Sequence, residues 1–260
     1  MSVTYRDLTS LADFADVVAL EQRIWGPGYD DVVPVPILAV TVKRGGILIG
    51  AFEGERMVGF VYSLPGIRDG RPTQWSDMLG VVDEYRRAGI GYALKQLQRD
   101  RALAMGIDLI EWTFDPLQAA NAHLNLARLG AIVEEYDENM YGESASPLHK
   151  GNPTDRFVAE WWIRRDRVGH DAAGARPVNR TRRAGEWLEC ADVDLALDGP
   201  RLLVEIPMGF TDMLARAPDL ALGWRFATRE IFTSYFARGY RAVHIDLEPP
   251  ERKGRYLLVG

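Results

Sequence analysis

The sequence predicts an α/β (α+β) fold, a mixed central sheet flanked by helices, followed by a C-terminal αβ extension. Three observations carry this. Two apolar, strand-like runs, Ile47–Phe52 and Met57–Leu64, are joined by Glu53-Gly54-Glu55-Arg56, which reads as a hairpin turn between antiparallel strands. Strand-then-helix units follow from Trp75 to Tyr136, and such units require parallel neighbours. Past Gly142 the texture changes, which places a division between residues 1–142 and residues 143–260, the latter completing or covering the former.

In chain order, Val3–Leu8 alternates enough to form a short first strand, and Thr9 or Ser10 can cap a helix reaching about Trp25. Gly26-Pro27-Gly28 stops that helix, and Pro34 to about Lys43 reads as a second one ended by Gly45-Gly46. After the hairpin, Pro65–Thr73 reads as a polar loop and Trp75–Val82 as a strand. A helix from about Gly89 to Met105 carries an apolar stripe of Ile90, Ala93, Leu94, Leu97 and Leu103, and Gly106 ends it. Asp108–Phe114 is a strand, Leu117–Leu129 a helix ended by Gly130, and Ala131–Tyr136 a strand. Ser144–Pro153 is rich in turn residues, and Arg164–Arg183 reads as an exposed connection. Strand Leu202–Ile206, helix Leu220–Arg238, and strands Ala242–Leu247 and Arg255–Val259 complete the extension.

Composition excludes several function classes. The 260 residues carry 31 Lys and Arg against 37 Asp and Glu, a net charge of −6, which argues against a sequence-independent nucleic-acid binder. The single cysteine, Cys190, permits no intramolecular disulfide and reads as a small buried hydrophobe. The opening MSVTYRDLTS has no apolar signal core, and no apolar run approaches the ~20 residues of a membrane span, so a cytoplasmic protein is expected. His123 reads as a solvated helix residue, and His149, His170 and His244 show no metal-ligand spacing, so no metal is expected.

The most informative segment is Met78-Leu-Gly-Val-Val-Asp-Glu-Tyr-Arg-Arg-Ala-Gly-Ile-Gly-Tyr-Ala-Leu94. A buried strand runs through a short turn into a helix whose first residues are Arg-x-x-Gly-x-Gly. Glycines let backbone approach a bulky anion, first-turn N–H groups and the helix dipole favour negative charge, and Arg86 and Arg87 add positive charge. A Walker loop would need Gly-Lys-Ser/Thr, which does not follow, and a Rossmann fingerprint would need Gly or Ala where Leu94 stands. A pyrophosphate is the ligand such a turn suits; an ordinary helix start is the plain alternative.

Residues Val3 to about Tyr141 resemble the GNAT acyltransferase superfamily in element order, and Arg86–Gly91 matches its signature Gln/Arg-x-x-Gly-x-Gly/Ala. The resemblance implies that acyl-CoA is the co-substrate. Backbone groups of Leu79, Val81 and Val82 would hold its pantetheine arm, with Arg86, Arg87, Ala88, Gly89, Ile90, Gly91 and Tyr92 around the phosphates. A narrower resemblance rests on Thr113-Phe114-Asp115-Pro116-Leu117, Asn121 through Ala131, Asn139-x-Tyr141-Gly142, Pro153-Thr154-Asp155-Arg156 and Trp224-Arg225-x-Ala-Thr-Arg229. It points to a bacterial branch whose members include amino-acid N-succinyltransferases that act beside N-succinylamino-acid racemases.

Attack of a neutral amine on a thioester needs a base, an oxyanion stabiliser and a proton for the leaving thiolate. Many members of the superfamily place a Tyr four residues before the Gly that ends the relevant helix, and here Leu126 stands there. Tyr141 is the candidate in its place, or else packs across the sheet. Asp77 and Glu111 are candidate bases or salt-bridged strand residues. Asn121 and Asn125 flank the expected acyl-CoA cleft. Arg225 and Arg229, four apart on one helix face, could clamp a carboxylate with Arg156, or pair at the surface with Glu205, Glu230 or another acid.

The expected reaction is direct transfer of a succinyl or acetyl group from CoA to the α-amino group of an amino acid, in a homodimer with no metal. Two alternatives stay open: a non-catalytic acyl-CoA sensor, or an acetyltransferase acting on an aminoglycoside or protein lysine.

Overall fold

The structure, a computed structural model, describes residues 3–26, 29, 31–142 and 151–260. The expected Pro27-Gly28 stop, most of the turn-rich Ser144–Pro153 stretch and His149 lie outside the described residues. The chain packs as two compact units: one holds 1–112 with the return segment 162–166, the other holds 113–161 and 167–260.

In the first unit, strand β1 (Val3–Asp7) leads to helix α1 (Leu11–Trp25) through a capping box. The Ser10 hydroxyl accepts the Asp13 N–H, and the Asp13 carboxylate accepts the N–H groups of Thr9 and Ser10. Arg6 also donates to that carboxylate and holds its pKa far below the usual range. Helix α2 (Val35–Lys43) has Pro36 in its first turn, where a missing N–H costs nothing.

Strand β2 (Ile47–Glu53) pairs antiparallel with β1 and with β3 (Arg56–Arg68), and β3 pairs antiparallel with β4 (Arg71–Val81). The stretch Pro65–Thr73, expected as a loop, is instead the far end of the β3–β4 hairpin, in register from Pro65↔Gln74 to Arg68↔Arg71. Asp69 (φ 50°) and Gly70 (φ 75°) turn it. Positive φ at both central positions is the turn whose twist suits a two-residue hairpin, which Asp-Gly favours. The β2–β3–β4 ladder buries Leu48, Ile49, Val58, Phe60, Val61 and Tyr62 almost completely. Truncating one of these, as in Phe60→Ala, costs about 3–5 kcal/mol.

Helix α3 (Ile90–Ala104) buries Ile90, Leu94, Lys95, Gln98 and Ala102. The buried face is thus rotated from the expected stripe and includes two polar residues. Strand β5 (Leu109–Phe114) runs parallel to β4.

In the second unit, the single helix expected over Leu117–Leu129 is a short α4 (Ala119–Ala122) continued by a π-helical turn, His123–Leu129. Then come β6 (Ile132–Asp137), β7 (Arg156–Trp162) and β8 (Arg176–Pro177). The β9 (Arg180–Ala184) and β10 (Trp187–Ala191) strands pair as a hairpin, and β11 (Arg201–Pro207) follows. Helices α5 (Phe210–Arg216) and α6 (Pro218–Ala237) precede β12 (Arg241–Glu248) and β13 (Lys253–Val259).

β6 pairs antiparallel with β7 and β12, β12 with β13, and β13 with β11; β8 adds a parallel edge to β11. The expected exposed connection, Arg164–Arg183, therefore contains β8 and most of β9. An aromatic cluster fills the core: the Phe157 ring lies 4.6 Å from Phe232 and 5.6 Å from Phe114, edge-on in each case.

Candidate functional site

Three local features of the first unit converge on β4. The first is a break in pairing. β4 meets β5 at Gln74↔Ile110 and Trp75↔Glu111, and no register past Trp75 is recorded between them among the described residues. From Met78 to Val81 the strand remains paired to β3 alone, so the backbone of Leu79 and Val81 keeps one edge released.

The second is a bulge. Tyr62 faces Met78 while Leu64 faces Trp75, so β4 carries an extra residue across Ser76 and Asp77. Consecutive side chains are re-aimed: Ser76 meets Lys95 and Gln98 of α3, while Asp77 acts on Glu21 of α1 and Tyr62 of β3.

The third is the turn after β4. A 3₁₀ turn at Asp83–Tyr85 leads to Arg86, whose guanidinium pairs with Asp83 at 2.8 Å and donates to the Val81 carbonyl at 3.3 Å. Arg87 (φ 66°) and Gly89 (φ 83°) both adopt left-handed backbone around Ala88. Gly89 is the α3 N-cap and offers no side chain to its first N–H groups. Arg86 to Gly89 are exposed, so the turn presents backbone donors and positive charge outward. Val82 is buried just before it.

The titratable groups here are strongly perturbed. Glu21, which the sequence reading did not single out, has no exposed surface, and burial pushes its carboxyl up to about 7. The Val33 N–H bonded to Oε2 opposes that rise and the Asp77 charge adds to it. Asp77 is open to solvent on one side yet walled enough that lost hydration raises its carboxyl. Glu111 is buried and ion-paired with Arg68 at 2.9 Å; of the two roles its position allowed, the structure shows the salt bridge.

Lys95 is fully buried, donates to Ser76 at 2.8 Å and Gln98 at 3.2 Å, and lies 3.7 Å from the Trp112 ring centroid. Burial drives its pKa well down despite that ring.

The second unit holds the remaining candidates. Arg225 is not an open clamp: it is 1% exposed and forks onto Asp115 at 2.8 and 2.7 Å, with Nε donating to Asn152 at 2.9 Å. Arg229 forks onto Asp155 at 2.9 and 2.7 Å and also meets Glu138 at 3.1 Å. The alternative that each arginine pairs with an acid is what the structure shows, with Asp115 and Asp155 as the acids in place of Glu205 or Glu230; Glu205 pairs with Lys253.

Asp155 also accepts from the Tyr136 hydroxyl and the Asn139 N–H, and burial, then this bond, raises the Tyr136 pKa. Arg156 lies 5.2 Å from the Tyr141 ring, and burial lowers its pKa against the pull of Asp115. Tyr141 is exposed, its hydroxyl 2.8 Å from the Thr113 hydroxyl. Asn125 is buried and donates weakly to exposed Asn121 at 3.4 Å, while its carbonyl accepts the Ala131 N–H. Leu126, where the superfamily's Tyr was sought, is buried.

Among the described residues no group of three or more His, Cys, Asp or Glu is placed to hold a metal ion, and no helix is long and apolar enough to cross a membrane. Cys190 is half-buried and accepts from the Asn179 amide.

No protein-family model matches the chain, and no curated protein is significantly similar to it in sequence. Solved structures do match in fold. The chain is similar to a Salmonella typhimurium protein assigned as an acetyltransferase and solved with its cofactor acetyl-CoA, at 17% identity and a TM-score of 0.51. That match covers 66% of this chain and 100% of the other. It is similar also to a GNAT-family acetyltransferase from Streptococcus pneumoniae, at 16% identity and a TM-score of 0.50, over 61% of this chain and 98% of the other. At such identities the likeness speaks for architecture, and the architecture is that of the GNAT acetyltransferases.

Proposed function

We propose that the chain is an acyl-CoA-dependent N-acyltransferase. The observation that carries this is the exposed Arg86–Gly89 turn opening α3, directly after a strand edge released from its parallel neighbour. The residues present fit the donor. Left-handed Gly89 has nothing within 4 Å of where a Cβ would stand, and the Arg87 side chain is exposed. Pyrophosphate would sit on the N–H groups of residues 87–92, and the pantetheine amides on the backbone of Leu79, Val81 and Val82. Asn121 and Asn125 are assigned to the same donor, and residues 1–142 to the transferase core, on the family resemblance.

The acceptor is an amine. Asp77 and Glu21 bring two carboxylates to one place, and a cationic ammonium is what such a place attracts. The narrower reading, succinyl or acetyl transfer to the α-amino group of an amino acid, rests on the motif resemblance. Because Arg225 and Arg229 are held by the chain's own aspartates, they are assigned to structure rather than to the acceptor's carboxylate. Tyr141, with its exposed hydroxyl, is the candidate proton donor to the leaving thiolate. Among the described residues β1 pairs with β2 alone, and its outer edge is the proposed contact of a homodimer.

The test is thiol release from acetyl-CoA or succinyl-CoA in the presence of pooled amino acids, aminoglycosides or lysine peptides. Acceleration above hydrolysis by an amino-acid pool is expected. Binding of CoA without acceleration by any pool would favour a sensor instead, and equal use of both donors would remove the succinyl preference.

A further inference from the structure

Two buried polar atoms in the first unit have no hydrogen-bond partner among the described residues, and both lie within electrostatic reach of Asp77. One is Oε1 of Glu21, whose Oε2 accepts the Val33 N–H at 3.0 Å. The other is the Tyr62 hydroxyl; Thr41 lies near enough to ease its ionisation but not in hydrogen-bond geometry. Buried acceptors are rarely left unmade, and an exception calls for an explanation. Here the exceptions sit where β4 bulges and parts from β5. A primary ammonium, with three N–H donors and one positive charge, is what two carboxylates and a hydroxyl oxygen complement.

We propose that Asp77 receives the acceptor's protonated amine and that Glu21, buried and within electrostatic reach of it, holds the proton the amine gives up. This rests on the transferase reading and adds Glu21 to it as the proton acceptor that acts with Asp77. In the step, an N–H bond of the ammonium breaks and an O–H bond forms on Glu21. The neutral amine then forms a C–N bond to the thioester carbon as the C–S bond breaks, and the proton shed by the acylated nitrogen ends on sulfur. Glu21 returns its proton to solvent when product leaves.

Charge and burial favour this division of labour. Asp77 keeps exposed surface and Glu21 has none; Glu21 feels the Asp77 charge, and a carboxyl at about 7 is half-charged at neutral pH, where a proton acceptor works best. The groups that act on Glu21 from the packed elements are Asp77 on β4 and Tyr62 on β3, and Thr41 on α2 lies beside Tyr62. The cationic Lys43 is exposed at the C-terminal end of α2, and among the described residues neither Glu21 nor Asp77 forms an ion pair.

The test uses the full chain with acyl-CoA and the best amine found in the pools. For the wild type, kcat should rise with pH around 7. Glu21→Gln should lower kcat by about a hundredfold or more, move that midpoint upward and leave CoA affinity unchanged, while Asp77→Asn should chiefly raise KM for the amine. Carbon-13 carboxyl shifts of the wild type give a second readout: Glu21 should titrate near 7, and saturation with amine and CoA should lower that midpoint. If Glu21→Gln keeps both the rate and the pH profile, or if Glu21 titrates with ordinary carboxylates, this inference fails and the transferase reading stands. If no amine is acylated while CoA still binds, the transferase reading fails and the proton-holding role falls with it.

Discussion

Arg225 offers the sharpest separation between a structural and a substrate-binding role. Its guanidinium makes two hydrogen bonds to Asp115 and one to Asn152 with almost no exposed surface, and lies 5.2 Å from the Phe210 ring. Burial alone would raise the Asp115 carboxyl, yet the charge and hydrogen bonds of Arg225 bring it below its ordinary value. Arg225→Met removes that charge and leaves a buried carboxylate answered only by the Leu117 N–H and the more distant Arg156. Breaking a buried pair from one side costs about 3–5 kcal/mol. For a chain of this size that is a fall in Tm of roughly 6–20 °C. The double variant Arg225→Met with Asp115→Leu should recover most of the loss, because the stranded charge goes too. Thermal unfolding followed by circular dichroism measures both, and KM for a carboxylated acceptor is measured beside it. A loss below about 1 kcal/mol, together with a raised KM, would refute the structural assignment and return Arg225 to the substrate.

Other outcomes follow from the same geometry. Lys95→Met should stabilise the protein at pH 7 by about 1 kcal/mol or more, since Gln98 and Ser76 remain bonded to each other at 3.1 Å. The folded-state pKa of Lys95 is depressed, so between it and the unfolded value near ~10.4 the unfolded chain binds the extra proton and stability rises with pH. The Met variant should lose that slope in denaturation curves measured across alkaline pH. Gly91→Ala meets only ordinary contact with Leu79 at 3.6 Å and should stabilise α3 by about 0.5–1 kcal/mol while weakening CoA binding. Gly89→Ala, at φ +83°, should instead cost about 1–2 kcal/mol. Calorimetric titration with CoA, set against unfolding, separates these two. Glu21 holds a proton in the folded chain that the unfolded chain has lost, so its contribution falls as pH rises from the ordinary carboxylate range to about 7. The full fall is about 3 kcal/mol, and Glu21→Gln should be flat across that window and more stable than wild type above it.

What could be read from sequence was local. The Arg86–Gly91 run and the Thr9-Ser10 pair each mark a helix start in a few consecutive residues, and both helices begin where expected, at Gly89 and Ser10. The far end of the β3–β4 hairpin was hidden by Pro65, Gly66 and polar neighbours, although Asp69-Gly70 is the turn signal that could have revealed it. β7 buries Phe157 to Trp161 in succession, Glu160 included, so this run lacks the apolar-polar alternation that marks a strand.

Spacing put Arg225 and Arg229 on one helix side, but their partners lie 110 and 74 residues away, beyond any local pattern. Glu21 failed for a related reason. A glutamate on an amphipathic helix reads as a solvated side chain, and only the packing of β3, β4 and the Val33 backbone against it says otherwise.

The buried polar groups of this chain fall into two kinds, and the difference bears on which of them act. Asp155 accepts from Tyr136, Arg229 and the Asn139 backbone, and Asp115 from both arms of Arg225 and the Leu117 backbone. Such satisfied groups resist movement, which suits a framework. Glu21 and Tyr62 are the opposite: equally buried, short of partners, and pushed up in pKa with little to hold them there. Leaving an acceptor unmade costs about 1–3 kcal/mol, a cost that a buried Leu and Phe at those positions would avoid. A fold that keeps Glu21 and Tyr62 beside Asp77 therefore gives up stability at the place where β4 bulges, and binding of a cationic amine there would restore it. Ligand-induced stabilisation follows: an amine acceptor should raise Tm more in wild type than in Glu21→Gln, and an equal rise in both would mean that the amine binds elsewhere.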